Sequence, residues 1–314
     1  MVTRMTVALI SHPDCLRHDM GPVHPESPGR LWAIEDQLIA SRLESVLRRY
    51  DAPLATRAQL ERVHDAHYVD TVFAASPLDG TVTIAAETLM GPHTLNAALR
   101  AAGAAALGVD LVLRDEAGAV FCSVRPPGHH AGRGSAMGGC FFNNVAVGAA
   151  HALATHDVAR VAIVDFDVHH GNGTEEIFRD EPRVLLCSSF QHPYYPYDDY
   201  LADSDHIVNV PLPAGTGGQR FREALRERWL PALDAFRPQL LLVSAGFDAH
   251  YEDDIGQLTL DETDFHWIAR QLKTVADRHA GGRVVSVLEG GYDLHALGRS
   301  VVAHIQGLID GATG

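Results

Sequence analysis

The chain has 314 residues, 46% hydrophobic and 21% charged, enough for a sizeable core and compatible with one large α/β domain. Its 25 Lys and Arg against 40 Asp and Glu give −15 with no basic run, which argues against direct nucleic-acid binding and favours cationic substrates. Cys15, Cys122, Cys140 and Cys187 lack C-x-x-C spacing and predict reduced, buried thiols. The N-terminus carries no secretory signal pattern, and no apolar segment approaches the ~20 residues of a membrane span, so a cytoplasmic protein is expected.

Read in chain order, residues 6–10 form an apolar strand. Ser27 as N-cap with Pro28 at the first helical position opens a helix through about residue 43. Helices are expected near 57–75 and 92–113, the second Ala-rich over 96–113 and therefore read as a buried helix. Four short, uniformly apolar runs follow, at 119–124, 161–166, 240–245 and 284–288. They alternate with helical patterns at 144–155, 218–236, 261–279 and 294–309, and weaker strands are expected at 184–188 and 206–210. Such alternation indicates a mostly parallel central sheet with helices on both faces. With no repeat or linker, residues 1–314 read as a single catalytic domain.

Open parallel sheets bind ligands at the carboxyl ends of their strands. The four main strands run into R-P-P-G-H-H-A (125–131), D-F-D-V-H-H-G-N-G-T (165–174), G-F-D-A-H (246–250) and E-G-G-Y-D-L (289–294). Polar, reactive side chains thus converge at one end of the sheet. Asp165, Asp167 and His169 alternate where a strand ends and are expected to face one way. Asp167, His169 and the distant Asp248 then offer two carboxylates and an imidazole with an open fourth position, the pattern of a catalytic divalent site with zinc as first choice. Zinc there would polarise a carbonyl and lower the pKa of a bound water. His129 and His130, in a constrained Pro-Pro-Gly turn, supply acid–base groups, with Asp165 and Asn172 as the natural partners behind them. A carboxylate behind one imidazole raises its pKa and a neutral amide behind the other leaves it lower. Tyr292, after Gly290 and Gly291, can donate a hydrogen bond to an oxyanion.

These motifs resemble the histone deacetylase superfamily, particularly bacterial class II-like deacetylases and acetylpolyamine amidohydrolases. The resemblance runs from H-P-E-S-P-G-R-L (His24–Leu31) to E-G-G-Y (Glu289–Tyr292). It implies the arginase-deacetylase fold and a tubular pocket with zinc at its floor, and hence hydrolysis of an acylated amine such as acetyl-lysine or an acetylpolyamine. By the same resemblance Asp167, His169 and Asp248 look like the zinc ligands. His129 and His130 look like the tandem catalytic histidines, with His130 the proton shuttle. Tyr292 matches the oxyanion tyrosine and Arg30 the arginine of an internal channel. Asn172 favours class II. A potassium ion is implied beside the zinc loop, near Asp165, Asp167, His169, Ser188 and Ser189. Homo-oligomers are compatible with the family.

Two departures bear on substrate. The family's Gly-Phe-Cys is here Gly138–Gly139–Cys140, so one aromatic wall of the tunnel is missing at Gly139, while Tyr195 supplies the opposite wall and Gly138 and Gly290 complete the lining. Ile255 stands where specialised polyamine deacetylases place a gatekeeping glutamate. Two rival readings share the fold: an arginase-like dimetal ureohydrolase and a non-catalytic protein that holds an acylated ligand. The first needs a further carboxylate two residues after His169, where this chain has Gly171; the second would be signalled by a lost zinc ligand or lost Tyr292, and all are present.

Overall fold

The structure is a computed structural model that describes residues 6–197, 200 and 202–310. The chain begins with β1 (Val7–Ser11) and a 3-10 turn, Pro13–Arg17. Helix α1 (Gly29–Ala40) follows, then β2 (Arg48–Asp51), the short helix α2 (Arg57–Leu60) and α3 (Ala66–Ala75). A small hairpin, β3 (Val82–Ala85) with β4 (Thr88–Met90), leads into α4 (Thr94–Leu113). Next come β5 (Ala119–Cys122), α5 (Asn144–Thr155), β6 (Val161–Asp165) and α6 (Asn172–Phe178). The remainder is β7 (Val184–Gln191), β8 (Ile207–Leu212), α7 (Gly218–Phe236), β9 (Leu240–Ala245), α8 (Glu262–His279), β10 (Val284–Leu288) and α9 (Leu294–Asp310).

Among the described residues eight strands form one sheet in the order β2-β1-β5-β10-β9-β6-β7-β8, and every pairing in it is parallel. This is the expected α/β architecture. Strands β5, β6, β9 and β10 are buried along their whole length, which is why they read as unbroken apolar runs rather than alternating ones. Helices α1, α7, α8 and α9 pack in one layer and α4 with α5 in another, and both layers reach β10. The parallel register aligns Asp165 with Ser188 on one neighbour and Ser244 on the other, so polar residues arrive together where the strands stop.

Several expected boundaries move for local reasons. Pro28 occupies the N-cap with φ −55° and Ser27 makes no capping bond, so α1 starts later than expected. It also ends early, because Ser41 Oγ donates back to Gln37 and Leu38 carbonyls and Arg42 adopts a left-handed φ of 61°. The single helix expected over 57–75 is two. Thr56 and Gln59 form a capping box for α2, and the chain then leaves the helix so that Asp65 N–H can donate to Arg133 O at 2.9 Å. The Ala-rich α4 spans 20 residues and by length and composition suffices to cross a membrane, contrary to the sequence expectation; 72% of that window is buried inside the fold, as in a core helix.

Candidate active site

The four strand ends deliver their loops to one place. Strand β6 ends at Asp165, so Asp167 and His169 lie on the loop beyond it and not along an extended strand as expected. Asp165 turns away from them: its Oδ2 is 3.0 Å from His129 Nδ1 and its Oδ1 accepts the Asp167 N–H. Asp167, His169 and Asp248 converge instead. His169 Nδ1 lies 3.0 Å from Asp167 Oδ1 and 3.3 Å from Asp248 Oδ2. Backbone amides fix the carboxylates from behind, Val168 N–H to Asp248 Oδ1 at 2.9 Å and Gly290 N–H to Asp167 Oδ2 at 2.8 Å. A Cβ on Gly290 would sit 2.0 Å from Asp248 Oδ2, so only glycine lets this backbone approach. Gly290 therefore underlies the ligand group rather than lining a tunnel wall.

Asp248 Oδ2 has no hydrogen-bond partner among the described residues, its contact with His169 lacking hydrogen-bond geometry. Burial and then the charge of Asp167 push the Asp248 carboxyl up, while His169, which burial alone would lower, is raised to about 9 by its hydrogen bond to Asp167 and by the Asp248 carboxylate beside it. An orphaned carboxylate oxygen, two carboxylates crowded on one imidazole and three donor atoms within 4.8 Å of one another fit a divalent cation. Close by, Ser188 Oγ is buried without a hydrogen-bond partner among the described residues.

The tandem histidines differ as their partners require. Burial works against protonation of His129, but Asp167, Asp165 and the Asp165 hydrogen bond hold its pKa well above the ordinary value. His130 Nδ1 faces Asn172 Oδ1 at 2.8 Å, and the Asn172 amide is turned that way by its Nδ2–H contact with Met137 Sδ at 3.3 Å. Burial and the neighbouring His129 and His169 hold His130 well below its ordinary value. The rings of His129 and His130 are 4.1 Å apart, so one cationic imidazole keeps the other neutral.

A cleft of ≈ 400 Å³ opens above them, lined by His130, His169, Tyr292, Gly138 and Tyr195 among others. Tyr195 stands perpendicular to His130 and His169, and Tyr194 stacks on His169 with an interplanar angle of 19°. A neighbouring side chain stands beside Gly139, where the missing aromatic wall leaves room. Met20 Cε would lie 3.2 Å from a Cβ there, and Met20 itself lines the cleft. Gly139 has φ +77°, so phenylalanine at this position would be strained. Ile255 lines the cleft, and burial pushes the Tyr292 phenol well above its ordinary pKa, which keeps it a donor.

Arg30 is fully buried. Its Nε donates to Gly291 O at 2.6 Å and its Nη2 to Glu289 O at 2.5 Å, while its guanidinium lies 5.0 Å from the Tyr292 ring centroid. It thereby fixes the Glu289–Tyr292 turn.

Sequence reasoning overlooked three carboxylates at this site. Glu289 Oε2 accepts Gly128 and His129 N–H at 2.6 and 3.1 Å, clamping the histidine turn, and burial pushes it up to about 7. Asp253 Oδ2 accepts Tyr292 and Asp293 N–H at 2.6 and 3.0 Å. Glu87 lines the cleft from the β3–β4 turn with φ 57°. Glu289 was visible inside E-G-G-Y; Asp253 and Glu87 have no spacing signal, because long-range contacts alone place them.

Residues 24–308 match the histone deacetylase domain. The chain is 38% identical over 310 residues to an uncharacterized protein of Synechocystis, covering 96% of this chain and 99% of that one. It is 39% identical over 276 residues to the histone deacetylase-like amidohydrolase of Pseudomonas aeruginosa, over 86% of this chain and 72% of that one. With the human polyamine deacetylase HDAC10 it shares 36% over 329 residues, 97% of this chain but 48% of the relative. The solved HD domain of HDA15 matches with a TM-score of 0.91 at 32% identity, covering 98% and 89% of the two chains. The chain belongs to the histone deacetylase family.

Proposed function

We propose that this protein is a zinc-dependent deacylase that hydrolyses the amide of an acylated amine, with Asp167, His169 and Asp248 as zinc ligands. The carrying observation is the orphaned Asp248 Oδ2 facing the same imidazole nitrogen as Asp167 Oδ1. When bound there, zinc supplies Lewis acidity to a substrate carbonyl and makes a water nucleophilic near neutral pH.

The chain's own groups do the rest. With Nδ1–H turned to Asn172, neutral His130 presents its Nε2 lone pair to the cleft and takes the water proton, then returns it to the departing amine. His129, held cationic against Asp165, stabilises negative charge on the carbonyl oxygen. Tyr292 donates its phenolic hydrogen to that oxygen. Tyr195, Gly138 and Met20 bound the channel for the acyl-bearing chain, and with Ile255 in place of an acid the described lining offers a polycation a single carboxylate, the exposed Glu87. Acyl-lysine is therefore the favoured substrate class over a free polyamine. Ser188 Oγ, Asp165 and neighbouring oxygens of Asp167, His169 and Ser189 suit a structural potassium ion.

Zinc-reconstituted protein and its Asp248→Ala variant, assayed on acetyl-lysine peptides and acetylated polyamines with metal content measured, test the reading. The wild type is expected to hydrolyse the peptide and hold zinc at this site; the variant should lose both. Hydrolysis by Asp248→Ala at the wild-type rate would overturn the assignment.

A further inference from the structure

A second histidine–carboxylate constellation lies outside the cleft. Asp110 is in the last turn of α4, His151 is near the C-terminal end of α5, and His156 follows that helix in extended conformation, φ −123° and ψ 161°. The extended residue folds its ring back toward α4. Asp110 Oδ1 is 2.9 Å from His151 Nε2 and 2.7 Å from His156 Nε2. The ligand atoms all lie within 4.8 Å of one another.

We propose that Asp110, His151 and His156 form a second divalent transition-metal site that clamps the end of α5 to α4. Two imidazole nitrogens and one carboxylate oxygen are the donor set of zinc, nickel or copper, not of magnesium or calcium. Around a tetrahedral ion with bonds of about 2.0–2.1 Å, donor atoms sit roughly 3.3 Å apart, so the two Asp110–histidine separations need to open by only about half an ångström. Thr155 Oγ1 lies 3.4 Å from His151 Nε2, and water would complete the coordination. His156 also lines a surface cavity of ≈ 320 Å³ with Asp157, His279 and Arg283. Side-chain exposures of 9% for His151, 17% for His156 and 22% for Asp110 leave an entry path while keeping the ligands held.

The ion-free state has an identifiable proton arrangement. Arg62 Nη1 at 3.2 Å and Gln59 Nε2 at 3.5 Å both direct N–H groups at His151 Nδ1. That makes Nδ1 the acceptor and puts the proton on Nε2, where it bonds Asp110. Metal binding at Nε2 moves this proton to Nδ1, and the exposed Arg62 must turn away. Arg62 therefore opposes the metal, and binding releases or relocates a proton.

The site is independent of the catalytic assignment, and the test separates them. Metal-stripped wild type and His156→Ala are titrated with Zn²⁺ and assayed for acyl-lysine hydrolysis. The wild type is expected to take up about two ions per chain and His156→Ala about one, with hydrolysis unchanged. With Cu²⁺, electron paramagnetic resonance of the wild type should show coupling to two imidazole nitrogens that His156→Ala lacks, since the catalytic group offers only one ligating imidazole. Arg62→Gln removes the opposing cation and offers an acceptor for Nδ1–H, so it should tighten the second site. Equal metal uptake by wild type and His156→Ala, or no two-nitrogen signal, would overturn the proposal.

Discussion

Two buried charged clusters share the floor of this molecule and are built on opposite principles. In the first, Glu26 meets two permanent cations: its carboxylate accepts from Arg125 Nε and Nη2 and from Arg30 Nη1, with His18 Nε2 at 3.3 Å. Burial opposes its ionisation, yet Arg125 and the other partners hold Glu26 well below the usual carboxylate range. In the second, Asp165, Asp167, Asp248 and Glu289 are buried with no Lys or Arg ion-paired to them among the described residues, only histidines. There the carboxyl groups of Asp248 and Glu289 are pushed up. Arg30 joins the two, bonding Glu26 on one side and the Glu289 and Gly291 carbonyls on the other. The balanced cluster is a fixed support; the unbalanced one is left short of positive charge, as the proposed cation and mobile proton would need.

Removing Glu26 should break that contrast most severely. Glu26→Ala strands two buried guanidiniums and is expected to cost about 3–5 kcal/mol in urea unfolding. Glu35→Ala, which breaks the exposed pair with Arg49, should cost less than about 1 kcal/mol. Similar losses for both would mean the buried cluster is not the support described.

Tyr292→Phe tests the unbalanced side. The ring over Arg30 is kept and one donor is lost, so turnover of an acyl-lysine peptide should fall by roughly 10²–10³ with stability near wild type. Full activity would remove Tyr292 from the reaction.

Histidines buried away from both clusters sharpen the comparison through pH. Burial lowers His64 to about 4 and His304 to about 3. These are depressed histidine values, so the unfolded chain binds the proton first. The stabilisation is complete above the unfolded value and is lost as pH falls through it toward the folded value. Between pH 7 and pH 5 each is expected to cost about 2 kcal/mol. Denaturant midpoints at the two pH values should show the loss, and His64→Gln should reduce it.

The smallest effect is expected at the cleft wall. Met20→Ala removes the side chain packed against Gly139 and should shift the ratio of specificity constants between bulky and slim substrates by about tenfold or less. An unchanged ratio would mean Met20 does not set the width.

Much of this was legible in the sequence because strand ends carry their chemistry in runs. Asp167, His169, Asp248, the tandem histidines and Tyr292 each follow an apolar strand, so parallel-sheet logic gathers them before any coordinates. The helix break at residues 61–65 was not legible: His64 Nδ1 bonds Gly132 O and Asp65 N–H bonds Arg133 O, partners far along the chain that local periodicity ignores. Met20 as the replacement wall escaped for the same reason, since nothing near Gly139 in sequence announces it.

The position of β10 has a consequence for how the protein is made. It lies between β5 and β9 at the middle of the sheet, yet it is the last strand among the described residues, and the turn after it carries Glu289 through Tyr292. While a ribosome is still adding residues beyond β9, at about 5–20 per second, the sheet is two halves facing an empty slot with unpaired apolar edges. Such a nascent chain has neither Tyr292 nor the Glu289 clamp on the histidine turn. The candidate site is thus completed late and all at once, and chaperone occupancy is expected to concentrate in that interval.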